Sequence, residues 1–195
     1  MPRPRPRTHL RPRTTGAHAR AVGVLLLAFL LCLWGFFALT KIYLPRLDPL
    51  PADVDVLMQV GGAAPSDALA ARQLAQEQGI SDLVISDPTG VQRFHDACCP
   101  PMEGLPVHCF APEPSTTRGE AREFADLAED NGWESAMVLS TGREHVERVR
   151  LYFERCWDGD LSVNRPESPR SVVNHLKQAV YQTAGWGRAM KTLDC

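Results

Sequence analysis

No aspartate or glutamate occurs in the first 40 residues of this 195-residue chain, although 23 follow in the remainder. Residues 1 to 20 instead carry six arginines, two histidines and repeated prolines. Such a composition favours extended, solvated backbone, which excludes a packed amino-terminal subdomain and predicts a disordered basic tail. Residues 21 to 40, AVGVLLLAFLLCLWGFFALT, lack charge of either sign. Twenty such residues are about what a helix needs to cross hydrocarbon. FALTKIYL offers no small-x-small cleavage site, and Leu30 and Leu31 before Cys32 do not suit a lipoprotein site. These absences favour an uncleaved transmembrane helix over a removed signal peptide. By the positive-inside rule the arginine tail stays in the cytoplasm of a single-pass cell-membrane protein, and the carboxyl-terminal domain lies outside.

Other absences narrow the chemistry. The chain has no Walker pattern, no complete G-x-G-x-x-G, no G-x-S-x-G and no H-x-x-x-H or clustered Cys/His spacing. Nucleotide triphosphate cradles, nucleophile elbows and zinc sites therefore lack their usual signatures, no metal is expected, and no cofactor is assigned. Six of the 21 Lys and Arg sit in the tail, which leaves 15 against 23 acids and a formal net charge of −8 beyond it. A surface of that sign excludes nucleic acid as a partner of the folded domain. The bilayer is contacted through residues 21–40, and the tail suits anionic headgroups.

Five cysteines remain beyond the span: Cys98, Cys99, Cys109, Cys156 and Cys195. In an exported domain they are expected as disulfides. Pairing Cys156 with Cys195 would pin the carboxyl-terminal segment, and Cys109 would close a short loop with Cys98 or Cys99, for about 3 kcal/mol in the chain-entropy model. One thiol is left over.

Residues 41–52, with their prolines, read as a semi-rigid stalk, and residues 53–195 as one exported domain. Five β-prone runs, Val54 to Val60, Leu83 to Ser86, Val107 to Phe110, Ala136 to Leu139 and Leu161 to Val163, alternate with helical patterns. The helices are expected at Ser66 to Gln78, Val91 to Ala97, Thr117 to Asn131, Arg143 to Cys156 and Ser171 to Arg188. Alternation of this kind predicts a Rossmann-like α/β fold, a mostly parallel sheet flanked by helices on both faces. Ligands of such folds bind at the carboxyl ends of strands, so the loops that matter are Gly61-Gly62, Ser86-Asp87, Pro112 to Thr117 and Thr141 to His145.

Each loop has a plain explanation beside a functional one. Gly61-Gly62 precedes a helix and could present N–H groups to an anion, or could simply make a turn. Thr117-Arg118-Gly119-Glu120 and Thr141-Gly142-Arg143-Glu144 both fit the S/T-x-x-E capping box. Ser86-Asp87-Pro88-Thr89-Gly90 could supply a nucleophile but is equally an ordinary turn capped at Thr89. Capping does not call for His145 or Arg148, which share a helix face at a strand end and form a candidate ligand pair. A solvated helix with Glu144–Arg148 and Glu147–Arg150 ion pairs would read similarly.

Taken together, the segments VDVLMQVGGA, Arg72, Ser115-Thr116-Thr117-Arg118-Gly119-Glu120-Ala121 and Thr141-x-x-x-His145-x-x-Arg148 resemble the SanA, YdcF and ElyC-like family, domain of unknown function 218. The resemblance covers about residues 53 to 165, and the single amino-terminal span matches its SanA-like branch. Three positions depart from it: Ser86-Asp87-Pro88 stands where Ser-Gly-Gly is usual, Ala121 replaces Asn, and Val149 replaces Ala. The resemblance implies an envelope role in barrier or wall-polymer metabolism, and a pocket lined by Gly61, Gly62, Arg72, Ser115, Thr117, Thr141 and Arg148. Within it, Glu120 and His145 would handle protons, and a small anionic, nucleotide-like or phosphorylated metabolite would bind. Arg72 would meet the anion or organise Glu120. Two other classes stay open, a non-enzymatic envelope scaffold and a thiol oxidoreductase using Cys98-Cys99.

Overall fold

The computed structural model describes residues 15–51, 53–62, 64–165, 172–192 and 194–195. They separate into a unit that ends at Phe37 and a second comprising Ala38–Cys195. The first is the helix α1 (Thr15–Ala38), 24 residues, which at 1.5 Å per residue is about 36 Å long. Leu25, Phe29, Leu30 and Phe36 on its different sides are all exposed, as suits lipid better than water. The helix is long and apolar enough to cross a membrane. Of the tail expected to be disordered, residues 1–14 lie outside the described residues, and residues 15–20 correct the expectation because they are already helical. Ala17, Ala19 and Arg20 are strong helix formers that let the apolar helix extend backwards.

The second unit is an α/β domain. Its strands β1 (Val56–Gln59), β2 (Asp82–Ser86), β3 (Val107–Phe110), β4 (Ser135–Leu139) and β5 (Asp160–Asn164) form one sheet in the order β3-β2-β1-β4-β5. Every pairing is parallel, with Val56 opposite Asp82 on one side and Ala136 on the other. Every residue of central β1 is buried, as a strand covered on both faces requires. Alternate side chains divide the core: Val56, Met58 and Val138 face one cluster with Phe124, Val149 and Phe153, while Leu57, Leu83 and Met137 face another with Ala68, Ala71 and Ala75. Helices α2 (Pro65–Gln78) and α3 (Gln92–Cys98) cover the second face, and α4 (Thr117–Asn131) and α5 (Val146–Cys156) the first. Gly79 and Gly132 end α2 and α4 at φ 67° and 70°, the left-handed conformation in which glycine carries no Cβ penalty. The last helix, α6 (Val172–Ala189), packs against α5.

The segment expected to be a stalk is instead part of the domain. Ala38 and Ile42 are buried, the π-helical turn Leu39–Tyr43 accepts from Arg143 Nη1 at the Tyr43 carbonyl, and Arg46 N–H donates to Glu147. Asp48 is the anchor: it accepts from Arg150 at 2.6 Å and from Val163 N–H at 2.9 Å, while its carbonyl accepts from Asn164 at 2.6 Å. Burial works against the Asp48 charge, but the Val163 N–H and the Arg150 guanidinium outweigh it and hold the carboxyl below its ordinary range. Glu147 and Arg150 therefore serve the strap, Glu147 bonding Lys41, rather than each other as helix spacing suggested.

Two disulfides close the domain, Cys99–Cys109 and Cys156–Cys195. The first corrects the assignment of Cys98, whose thiol is free and buried in the α2 and α3 core. Cys98 is the last residue of α3 and faces inward, whereas Cys99 leaves the helix on the side of β3. Alkylation of the unfolded, unreduced chain should thus label Cys32 and Cys98 and spare the other four cysteines, read by peptide mass. Replacing Asp48 by Asn leaves Arg150 without its counterion and should cost about 1–3 kcal/mol, measured by denaturation of the full chain. Because the Asp48 carboxyl is held low, that deficit is expected in full above the ordinary carboxylate range and to vanish as pH falls through the lowered value.

Candidate functional site

The strand order reverses between β1 and β4. Chain leaving β1 passes to one face and chain leaving β4 to the other, so the loops diverge and a crevice opens outside the carboxyl ends of the two strands. Gly62 from the β1 loop and Thr141 from the β4 loop line a cavity of about 790 Å³ there, together with the start of α4, the first part of α5 and one side of α6. Of the expected site residues, Gly62, Ser115, Thr117, Glu120, Thr141, His145 and Arg148 all line it.

The local structure that brings them there differs from a pair of capping boxes. Thr116 caps α4, its hydroxyl accepting from Gly119 N–H at 3.2 Å. Thr117 is consequently the first helical residue, and its Oγ1 is 3.0 Å from His145 Nε2. Glu120 does not reach back to the cap. Its Oε1 accepts from Gly61 N–H at 2.5 Å, and Gly61 admits no Cβ because Pro88 Cδ would lie 2.4 Å from it. On the β4 side, Arg143–His145 form a 3-10 turn before α5, and neither start carries a side-chain cap. Thr141 Oγ1 lies 3.4 Å from His145 Nδ1 instead, and Glu144 is buried rather than solvated. His145, 8% exposed, thus sits between two threonine hydroxyls.

Charge at the site is controlled by burial. Desolvation raises the pKa of the Glu120 carboxyl, against the neighbouring Ser86 hydroxyl, the Gly61 N–H and the Arg148 charge, which favour ionisation. Desolvation likewise works against the Arg148 guanidinium, with Tyr181, Tyr152 and Glu120 opposing it. Arg148 lies over the Tyr181 ring at 5.7 Å, and its Nε has no hydrogen-bond partner among the described residues. Chemically, the Thr117–His145 pair allows the imidazole to take or return a hydroxyl proton at the amino end of a helix. In its protonated form Glu120 can donate, and Arg148 can offer positive charge to an oxyanion.

Two expected ligand contacts are corrected. Arg72 is absent from the cavity wall and donates to the Cys98 and Pro100 carbonyls at 2.8 Å each, because α2 lies on the opposite face of the sheet. Gly61 gives its N–H to Glu120, leaving it no role as an anion donor. Ser86 ends β2, and the turn follows it at Pro88-Thr89, with Asp87 accepting from the Thr89 N–H and hydroxyl. Sequence reasoning placed the last helix but missed its part in the site: α6 adds Tyr181, Gln182, Gly185 and Arg188 to the cavity, with Lys191 beyond its end. Their spacing by three or four residues was the available signal. Arg118 lines the mouth but is bound to Asp194 and the Cys195 carbonyl. Among the described residues no group of three or more His, Cys, Asp or Glu is placed to hold a metal ion.

No protein-family model matches the chain, and a search of curated proteins finds no match.

The raised Glu120 carboxyl sets a pH dependence. Its contribution to stability is fully present below the ordinary value of 4.5 and is lost as pH rises toward the raised one, where the fold must hold a buried anion. Glu120→Gln keeps the acceptor for Gly61 and has no charge to bury, so its melting temperature should exceed that of wild type by a margin that grows with pH. Parallel melting curves from acidic to mildly alkaline pH would show it.

Proposed function

We propose that this chain is a membrane-anchored protein of the bacterial envelope, of the SanA, YdcF and ElyC-like kind, whose external α/β domain binds and transforms a small anionic metabolite of wall or barrier metabolism. The observation that carries the reading is the cavity between the β1 and β4 loops, in which Arg148, His145, Thr117 and Glu120 converge. Arg148 is the anion contact, since it lines the cavity with its Nε unpartnered among the described residues, and burial shifts the neighbouring Glu120 carboxyl toward its neutral form. His145 and Thr117 are the groups for proton transfer. Anchoring rests on the length and apolar character of α1. Two disulfides fit an oxidising compartment, and the arginine-rich tail favours a cytoplasmic amino terminus.

The anion reading is tested by calorimetric titration of the full chain in detergent with inorganic phosphate and simple phosphate esters. Arg148→Ala removes a charge-assisted contact and should weaken binding by about tenfold to a hundredfold. His145→Ala should lower affinity less than it lowers any turnover that is found. Wild-type affinity in both variants would overturn the assignment and leave a scaffold role, in which the cavity is incidental.

A further inference from the structure

Three positions of α6, one turn apart, border the same void: Gln182, Gly185 and Arg188. Spacing of three residues sets successive Cβ positions about 5–6 Å apart along one side of a helix. At the first, the Gln182 side chain is 3% exposed; its nitrogen donates to Gln178 at 3.5 Å, and its oxygen has no hydrogen-bond partner among the described residues. At the second, the missing side chain is replaced by Arg148, whose Nη1 would lie 2.5 Å from a Cβ there. At the third, Arg188 adds a cation near the mouth, with Lys191 beside it.

A buried acceptor without a donor is costly, and such groups are usually completed by something that the protein alone does not contain. Beside it stands a guanidinium whose Nε is also without a partner. The complementary molecule presents a donor to Gln182 and anionic oxygens to Arg148, one helical turn apart. Arg188 and Lys191 favour a dianion over a carboxylate, because a second negative charge meets a second cation.

We propose that α6 makes the cavity selective for a phosphate monoester that carries a hydroxyl close to its phosphate, as sugar and polyol phosphates do, with Gln182 as the specificity-determining residue. This rests on the anion-binding reading above. Gly185 is a positioning residue: it leaves the space in which the Arg148 guanidinium is held against α6.

Glycerol phosphate and methyl phosphate differ in the hydroxyls and share the phosphate, so they separate the two claims. Titrated into the full chain in detergent, glycerol phosphate should bind about tenfold more tightly than methyl phosphate, the worth of one well-placed hydrogen bond. Gln182→Met matches the side chain's shape and removes the unpartnered oxygen. It should erase the preference, keep methyl phosphate affinity, and melt no lower than wild type without ligand. Gly185→Ala, which crowds Nη1 of Arg148, should weaken both esters together. Equal affinity of the wild type for the two esters, still weakened by Arg148→Ala, would overturn the selectivity while leaving the anion site. A preference that survives Gln182→Met would overturn the role of that residue. Failure of the wild type to bind either ester would overturn both readings.

Discussion

A guanidinium desolvated on the wall of a crevice, beside a carboxyl that burial shifts toward its neutral form, is the constraint around which the site is arranged. Arg148 loses solvation on the wall of the cavity, and burial raises the pKa of the Glu120 carboxyl that interacts with it. A lone buried charge is unfavourable unless other groups accept its hydrogens or stack on it. The Tyr181 ring and the bare backbone at Gly185 supply part of that environment. The remaining deficit is directed at the void. Sheet order places the crevice, and α5 puts the Arg148 guanidinium on its wall.

Much of this was legible in the sequence because it depends on local pattern. All five strands fall within two residues of the runs of β-branched and apolar residues, and the α2 and α4 stops follow from Gly79 and Gly132. The loops of the site follow from strand order, so Thr117, Thr141, His145 and Arg148 could be placed together before their geometry was known. Non-local choices were not legible. Thr116 and Thr117 are equally good caps as letters, and a shift of one residue decides that Thr117 faces His145 while Glu120 reaches Gly61. Arg72 has the right charge in the right helix, yet α2 crosses the face of the sheet away from the crevice, so its guanidinium meets the end of α3. Cys98 and Cys99 are adjacent, and only the direction in which α3 turns its last side chain separates core thiol from disulfide.

The stretch after α1 carries a related lesson. KIYLPRLDPLP has the prolines of a spacer, and spacers are identified by composition. Composition says nothing about a single acid among them finding a cation 102 residues away. Asp48 meets Arg150 and Val163 near the carboxyl end of β5, and through them eleven residues of nominal linker become part of the domain. The domain unit accordingly begins at Ala38 rather than after the prolines.

The Cys156–Cys195 bridge adds a dependence on where the chain matures. It joins the end of α5 to the segment beyond α6, and Arg155 fastens the same region through the Ala189 and Thr192 carbonyls. The helix that forms one side of the cavity is therefore bracketed by a bond that only oxidation makes. A chain in which Cys156 and Cys195 are still reduced lacks the clasp that ties this wall to α5, so assembly of the cavity is coupled to the redox state of one bond.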